Sequence, residues 1–346
     1  IVSSQKCSAE WVAQLMVTTT FPFLFAVGPF NDWQNVTEVL HPSLPRVQFN
    51  KTFECPHPCG LMPHYINTSL SSAINGGLPQ LVNLTLHIAT LNRTFESFVD
   101  RDENRLMDFD FESWHPAWYE NNGTLYQTES MAMVKKAHPS FTPEQVEAEA
   151  KTQYEAAAKS LVITTIAAIK ALRPKITVGM YGLPTRSYWT NPTPQTRAWN
   201  DGLFPMWCAF DAILPSIYQF YNSCNASSPG HSEIRARNEN YITNTVTEAV
   251  RIKREVAKRC SRNALDGSER NMPVYPYAWM RYHDATHFCC DADAVMQWNI
   301  SAHVGADGIV LWGSEDYLTH TTGEFERYWT EEFVPLVKSW KGPPYE

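Results

Sequence analysis

From about residue 100 onward, short apolar runs alternate with long helical stretches, and no other feature constrains the fold of this chain as much. Leu106–Phe111, Ile176–Tyr181, Phe210–Tyr218, Val274–Ala278 and Gly308–Trp312 read as strands, and Phe23–Val27 as an earlier one. Glu144–Leu172 predicts a long helix. Pro143 opens it, Pro174 follows it, and Val146, Ala150, Tyr154, Ala157, Leu161 and Ala168 share one face. Further helices are predicted near residues 78–98, 232–259, 292–303 and 325–340. Strands alternating with helices of this length pair in parallel through crossover units. There is no internal repeat and no Gly/Ser linker. The expectation is an α/β fold: a single distorted (β/α) barrel of TIM type, one catalytic domain over residues 1–346. Phe53–Gly77, rich in Pro, Cys, Gly and Asn, reads as a long loop that walls a cleft.

At 44% hydrophobic and 18% charged, the 346 residues can bury a large core, which excludes a disordered chain. The aromatic share, 13%, fits a sugar-stacking cleft as well as a large core. A net charge of −8 argues against a nucleic-acid partner. It also sits badly with an anionic polymer, unless Arg186 or Arg281 makes the cleft locally basic or the working pH is acidic. Failing both, a less charged N-acetylated glycan suits the chain better. No apolar run is long enough for an integral membrane segment, and no signal peptide opens the chain, which reads as mature protein. Phosphate-cradling glycine motifs and zinc-helix motifs are absent, so no cofactor and no metal site is expected.

The cysteines number 8, and N-x-S/T sequons fall at Asn35, Asn50, Asn67, Asn83, Asn92, Asn122, Asn225 and Asn299. Both features point to a secreted or lumenal/lysosomal glycoprotein with disulfides. Cys55-Pro-His-Pro-Cys59 could hold a metal, but a disulfide is the favoured reading.

The stretch Asp108-Phe-Asp110-Phe-Glu112-Ser-Trp114 carries the chemistry. Strand side chains alternate, so Asp108, Asp110 and Glu112 share one face. Three carboxylates crowded on an apolar strand repel and lose hydration, so at least one should keep its proton at neutral pH. That suits a general acid, and Glu112 falls at the strand's C-terminal end, where barrel active sites form. Asp110 and Glu112 both lie on one side of any bound sugar, so neither is placed to attack from the opposite face. A substrate-assisted route fits, in which the substrate's own 2-acetamido oxygen attacks the anomeric carbon.

At these residues the sequence resembles the hyaluronidase family, glycoside hydrolase family 56. The segments Asn75-Gly-Gly-Leu-Pro-Gln-Leu81 with Asn83-Leu-Thr85, Asp110-Phe-Glu-Ser-Trp114 with Pro116, Ala171-Leu-Arg-Pro174, Leu214-Pro-Ser-Ile-Tyr218 and Gly305-Ala-Asp-Gly-Ile-Val-Leu-Trp-Gly313 match the family's motifs in order over residues 75–315. The resemblance implies an endo-acting hydrolase that cuts β-1,4 bonds of N-acetylhexosamine in hyaluronan, chondroitin or both, with retention. It implies Glu112 as proton donor and Asp110 as the carboxylate that orients the acetamido group. Tyr181, Tyr218, Ser216 and Trp312 are implied as substrate-binding residues. A glycosaminoglycan is then the partner, with oligomeric state left open.

The sequence departs from the family in places. His115 stands where the family has arginine, Asp108 is an extra carboxylate, and no tyrosine marks the early cleft loop, where His57 is a stand-in. The cysteine usual near Pro184–Tyr188 is missing, the family's bridge from the first strand to the late barrel has no counterpart, and the EGF-like module of some members is not expected within these residues. Cys208 with Cys224 is a plausible local bridge, although eight cysteines allow 105 pairings. Two alternatives stay open. One is a catalytically weak homologue that binds glycan or protein. The other is a chitinase-like hydrolase, whose D-x-x-D-x-D-x-E pattern fits Asp108, Asp110 and Glu112 but places Arg105 at its first acid.

Overall fold

The computed structural model describes residues 23–27, 53–56, 58–67, 72–225, 230–260, 270–283, 287–313 and 327–340. The strands are β1 (Phe23–Val27), β2 (Phe53–Glu54), β3 (His64–Tyr65), β4 (Ala73–Ile74), β5 (Leu106–Phe109), β6 (Thr177–Met180), β7 (Tyr277–Trp279) and β8 (Ile309–Gly313). The α-helices are α1 (Leu84–Phe98), α2 (Leu125–Ala137), α3 (Pro143–Leu172), α4 (Pro194–Gly202), α5 (Phe204–Trp207), α6 (His231–Arg259), α7 (Asp291–Val304) and α8 (Val334–Ser339).

β2, β5 and β6 form one parallel ladder, and β1, β8 and β7 another. The expected strand Phe210–Tyr218 joins them only through parallel bridges, Tyr181 with Leu214, Ile213 with Val274 and Ser216 with Tyr277. Pro215, Pro273 and Pro276 explain the interruption, because proline has no N–H to give a ladder. The parallel order is therefore β2, β5, β6, residues 213–216, β7, β8, β1. Among the described residues no hydrogen-bonded ladder joins β1 to β2, so the expected closed barrel is seen as an open parallel arc. β2 has only two residues, and its pairing is with β5.

Strand alternation sets two cores. Leu106, Leu214, Tyr218, Tyr277 and Val310 pack together on the inner side of the arc. Met107, Phe109, Val178, Ile309 and Leu311 face outward into the helix layer. Gly179 allows residues 212–214 to approach β6, since a Cβ there would lie 2.6 Å from the Leu214 side chain.

α3 starts on a capping box, Thr142 with Gln145, and Pro143 occupies its first turn. Val146, Ala150, Tyr154 and Leu161 are buried as expected. Farther along, the buried line moves to Ala158 and Ile169, leaving Ala157 and Ala168 half-buried. The predicted closing helix divides into a π-helical turn, Tyr328–Phe333, and α8.

Among the described residues three disulfides are present: Cys55–Cys59, Cys208–Cys260 and Cys224–Cys290. The first settles the Cys55–Cys59 segment as a bridge. The other two correct the expected Cys208–Cys224 pair. Between those residues the chain crosses the sheet, so they lie at opposite ends of it. α6 then returns along the sheet and brings Cys260, its C-cap, back beside Cys208. Cys289 is a buried thiol, and Cys7 lies outside the described residues. No helix of the described residues is long and apolar enough to cross a membrane.

The part of the expected cleft wall that is described contains a small hairpin, β3 with β4. Its exit, Asn75-Gly76-Gly77, takes left-handed φ values of 51°, 90° and 75°, which explains the paired glycines. The Asn75 side chain donates to the Met62 carbonyl at 3.0 Å.

Candidate active site

β5 ends at Phe109, sooner than expected, so Asp110 and Glu112 stand just past the sheet's C-terminal edge and are open to solvent. Asp108, one pleat below, is buried on the inner face. Beside it in register lies Glu54, the last residue of β2. The four carboxylates therefore form one cluster, to which the sequence patterning had assigned only three.

Their electrostatics follow from crowding. Burial, the Asp110 charge, and then Glu54 and Glu112 hold the Asp108 carboxyl well above its ordinary range, although the neighbouring Tyr277 hydroxyl acts against them. Glu54 is lifted to about 7, by burial first and then by Asp110 and Glu112. Glu112 is also lifted to about 7. Loss of hydration on its packed side comes first, followed by the Asp110 charge and a hydrogen bond with Asp110. A carboxyl that keeps its proton at neutrality, at an open mouth, is equipped to donate it.

Tyr181, Ser216, Tyr218 and Trp312 are brought together beside this cluster. The Tyr181 hydroxyl donates to Ser216 Oγ at 3.2 Å. The Ser216 carbonyl in turn accepts from the Tyr241 hydroxyl at 2.9 Å. Burial pushes the Tyr181 phenol up, and the nearby Glu112 and Asp110 charges add to the effect, against its hydrogen bonds to Ser216 and Tyr218. Tyr181 and Tyr218 have ring centroids 6.0 Å apart, and Tyr218 and Trp312 are also 6.0 Å apart. Trp312, half-buried, meets Trp279 edge-on at 5.2 Å.

Sequence reasoning missed Glu54, Trp279, Tyr277 and His283. Tyr277 supports Asp108, while Trp279 and His283 flank Tyr218 at 5.6 and 6.1 Å. The one signal for Glu54 was an acidic residue directly before Cys55.

The rim of the site is tied down. Trp114 is buried, its indole N–H donates to the Pro63 carbonyl at 2.8 Å, and its ring packs on Phe111 at 5.2 Å. This links the end of β5 to the loop that carries β3. His115 is anchored through its backbone: its N–H donates to Asn121 at 3.0 Å, and its carbonyl accepts from Tyr154. Burial pushes the His115 imidazole down, disfavouring its charged form. His57 lies outside the described residues.

Neither arginine proposed for a basic cleft serves as one. Arg186 is buried in an ion pair with Glu248 at 2.9 Å. Burial alone would raise Glu248, but Arg251 and Arg186 outweigh it and hold the carboxyl below its ordinary range. Arg281 is also buried, with its guanidinium 4.4 Å from the centre of the Phe288 ring. Both were consumed by internal pairing or packing, which a linear sequence does not reveal.

Among the described residues, the one metal-like grouping is Cys224, Cys290 and Asp293. Its sulfurs form a disulfide, and the Asp293 carboxylate accepts from Ser223 and Tyr282, so no thiolate is free to ligate. Of the sequons, Asn67, Asn122 and Asn225 are exposed. Asn83 is exposed but caps α1, accepting from Leu86 N–H. Asn92 and Asn299 are half-buried within helices, and Asn299 accepts from the Trp340 indole at 2.7 Å. Asn35 and Asn50 lie outside the described residues.

The sequence profile of the family described as hyaluronidase, glycoside hydrolase family 56, matches residues 53–338. Human hyaluronidase-1 is 32% identical over 269 residues, 74% of this chain and 56% of that protein. Honey-bee (Apis mellifera) hyaluronidase is 29% identical over 77% of this chain and 67% of its own length. The chain thus spans little more than half of the human relative. Among solved structures, bee venom hyaluronidase in complex with a hyaluronic acid tetramer superposes with a TM-score of 0.73 at 24% identity, covering 92% of this chain and 99% of that one. The match over 53–338, together with the human relative, places this chain in the hyaluronidase family, glycoside hydrolase family 56.

Proposed function

We propose that this protein is an endo-acting glycoside hydrolase that cleaves β-1,4 bonds of N-acetylhexosamine in hyaluronan, chondroitin or both, by a retaining, acetamido-assisted mechanism. One observation carries the reading: Glu112 is lifted to about 7 beside Asp110 at the sheet's C-terminal edge, with Tyr181, Tyr218 and Trp312 grouped next to them.

In this mechanism Glu112 gives its proton to the glycosidic oxygen as that bond breaks. The substrate's acetamido oxygen attacks the anomeric carbon, forming an oxazolinium-like ring. Asp110 accepts from the acetamido N–H and stabilises the positive charge that develops. Glu112, now a carboxylate, takes a proton from water as the water opens the ring from the face the leaving group had occupied. Tyr181, oriented by Ser216, and Tyr218 hold the acetamido group, and Trp312 supports the sugar face. The open parallel arc and the bee enzyme's superposition support a distorted (β/α) barrel as the single domain. Three disulfides and the exposed sequons support a secreted, lumenal or lysosomal setting.

A parallel digest of hyaluronan and chondroitin sulfates at acidic and neutral pH, with product sizing, tests the assignment. Glu112→Gln should abolish cleavage without lowering the thermal unfolding midpoint. Equal activity in wild type and variant would sink it. His115, standing where the resemblance implies an arginine, favours a second reading, a homologue of weak activity that retains glycan binding. That reading predicts binding of hyaluronan without measurable product.

A further inference from the structure

Away from the carboxylates, the loop after β6 and the start of α6 enclose an open groove of about 330 Å³. Its floor includes Tyr188 and Tyr241, and the Tyr241 hydroxyl reaches the Ser216 carbonyl, so the groove shares a wall with the candidate active site. Trp189 stands at the lip with 57% of its surface exposed, and Tyr221, 5.9 Å from it, is 45% exposed. Leaving large rings in water is unfavourable, and such patches mark binding surfaces.

The polar side of the groove comes from α6. Arg237, Asn240 and Asn244 are spaced three and seven residues apart, so they present one helical face to it. The exposed Arg237 guanidinium lies 5.0 Å from the Trp189 ring centre and 5.9 Å from that of Tyr188. Glu233, one turn earlier, also lines the groove, yet among the described residues no carboxylate lies in ion-pair range of Arg237. The result is a flat indole, a cation stacked on it with no carboxylate in ion-pair range among the described residues, and two amide side chains, with Glu233 one turn away.

A track of rings leads there from the carboxylates. Trp312 meets Tyr218 at 6.0 Å, Tyr218 meets His283 at 6.1 Å, His283 stacks on Phe220 at 3.9 Å, and Phe220 meets Trp189 at 6.1 Å. His283 and Trp189 are exposed and Phe220 is half-buried, so a bound chain could reach rings along the route.

We propose that this groove is a distal glycan subsite that holds a uronate-bearing sugar of the polymer whose cleavage is proposed above. A sugar face stacks on Trp189, Arg237 pairs with the carboxylate, and Asn240 and Asn244 bond hydroxyls. The proposal rests on the catalytic reading only for the identity of the polymer. It also supplies the locally positive contact that an acidic protein needs and that Arg186 and Arg281 do not provide.

The test uses the Glu112→Gln protein, which blocks turnover, and titrates it with a hyaluronan tetrasaccharide, a hyaluronan decasaccharide and neutral N-acetylglucosamine oligomers. Adding Trp189→Ala or Arg237→Ala should weaken decasaccharide binding about tenfold and tetrasaccharide binding less. The Arg237→Ala loss should shrink at high salt, and Arg237→Lys should restore part of the affinity. Unchanged decasaccharide affinity in both variants, with unfolding profiles intact, overturns the subsite. Neutral oligomers that bind as tightly as hyaluronan, with no effect of Arg237→Ala, overturn the carboxylate assignment. The two readings fail separately. If the native protein cleaves nothing while binding depends on Trp189, the subsite stands and the catalytic reading falls. If hyaluronan is cleaved while the groove variants bind normally, the reverse holds.

Discussion

At the scale of single residues, Glu112 and Glu54 are both lifted to about 7, from 4.5. For activity the sign is simple: the donor must carry its proton, so kcat/KM should fall as pH rises through about 7. A pH–rate profile flat to alkaline pH would contradict Glu112 as donor. Stability takes the same sign. A carboxyl whose folded pKa lies above its unfolded value binds a proton in the folded state that the unfolded chain lacks. Its contribution is present below about 4.5 and is lost as pH rises through about 7. Denaturant midpoints should therefore decline from pH 5 to pH 8, and Glu54→Gln should flatten that decline. The crowding at Asp108, Asp110 and Glu112 was legible because three acids at alternate positions declare a common strand face. Glu54 was not, since a two-residue strand has no period to read and its neighbour in register lies more than fifty positions away. Arg186 and Arg281 misled for a related reason: a sequence records that a cation exists, not whether it has already been paired or buried.

Among the elements, those carrying their own end signals were read most closely. α3 lies within a residue of its predicted start because Thr142, Pro143 and Gln145 write the cap into the chain. Thr142→Ala should cost about 1 kcal/mol, read from chemical unfolding. Leu161→Ala, at a fully buried position of the same helix, should cost about 2–5 kcal/mol. Segments whose role is set by partners were read less well. Residues 210–218 look like a strand and cross the sheet like one, but prolines on both sides reduce their pairing to bridges. The aromatic platform around Trp189 was invisible because loops have no periodicity; only folding places that ring against a helix starting some forty residues later.

Across the whole molecule, parallel β–α alternation and the short Cys55–Cys59 bridge were readable, whereas closure of the sheet and the pairing of Cys208, Cys224, Cys260 and Cys290 were not. Both depend on which chain ends meet in space. Cys208–Cys260 closes a loop with a separation of 52 residues, and breaking it by a double Cys→Ser substitution should cost about 2–5 kcal/mol in thermal or denaturant unfolding. The bridges 208–260 and 224–290 are also interleaved rather than nested or consecutive. Every peptide bond between residues 208 and 290 is therefore spanned by at least one of them. A protease that nicks the chain there releases no fragment: the cut protein should migrate as one species on a non-reducing gel and separate only after reduction. In a protease-rich environment, the α6 wall of the groove is fastened to the rest of the molecule in a way that one cut cannot undo.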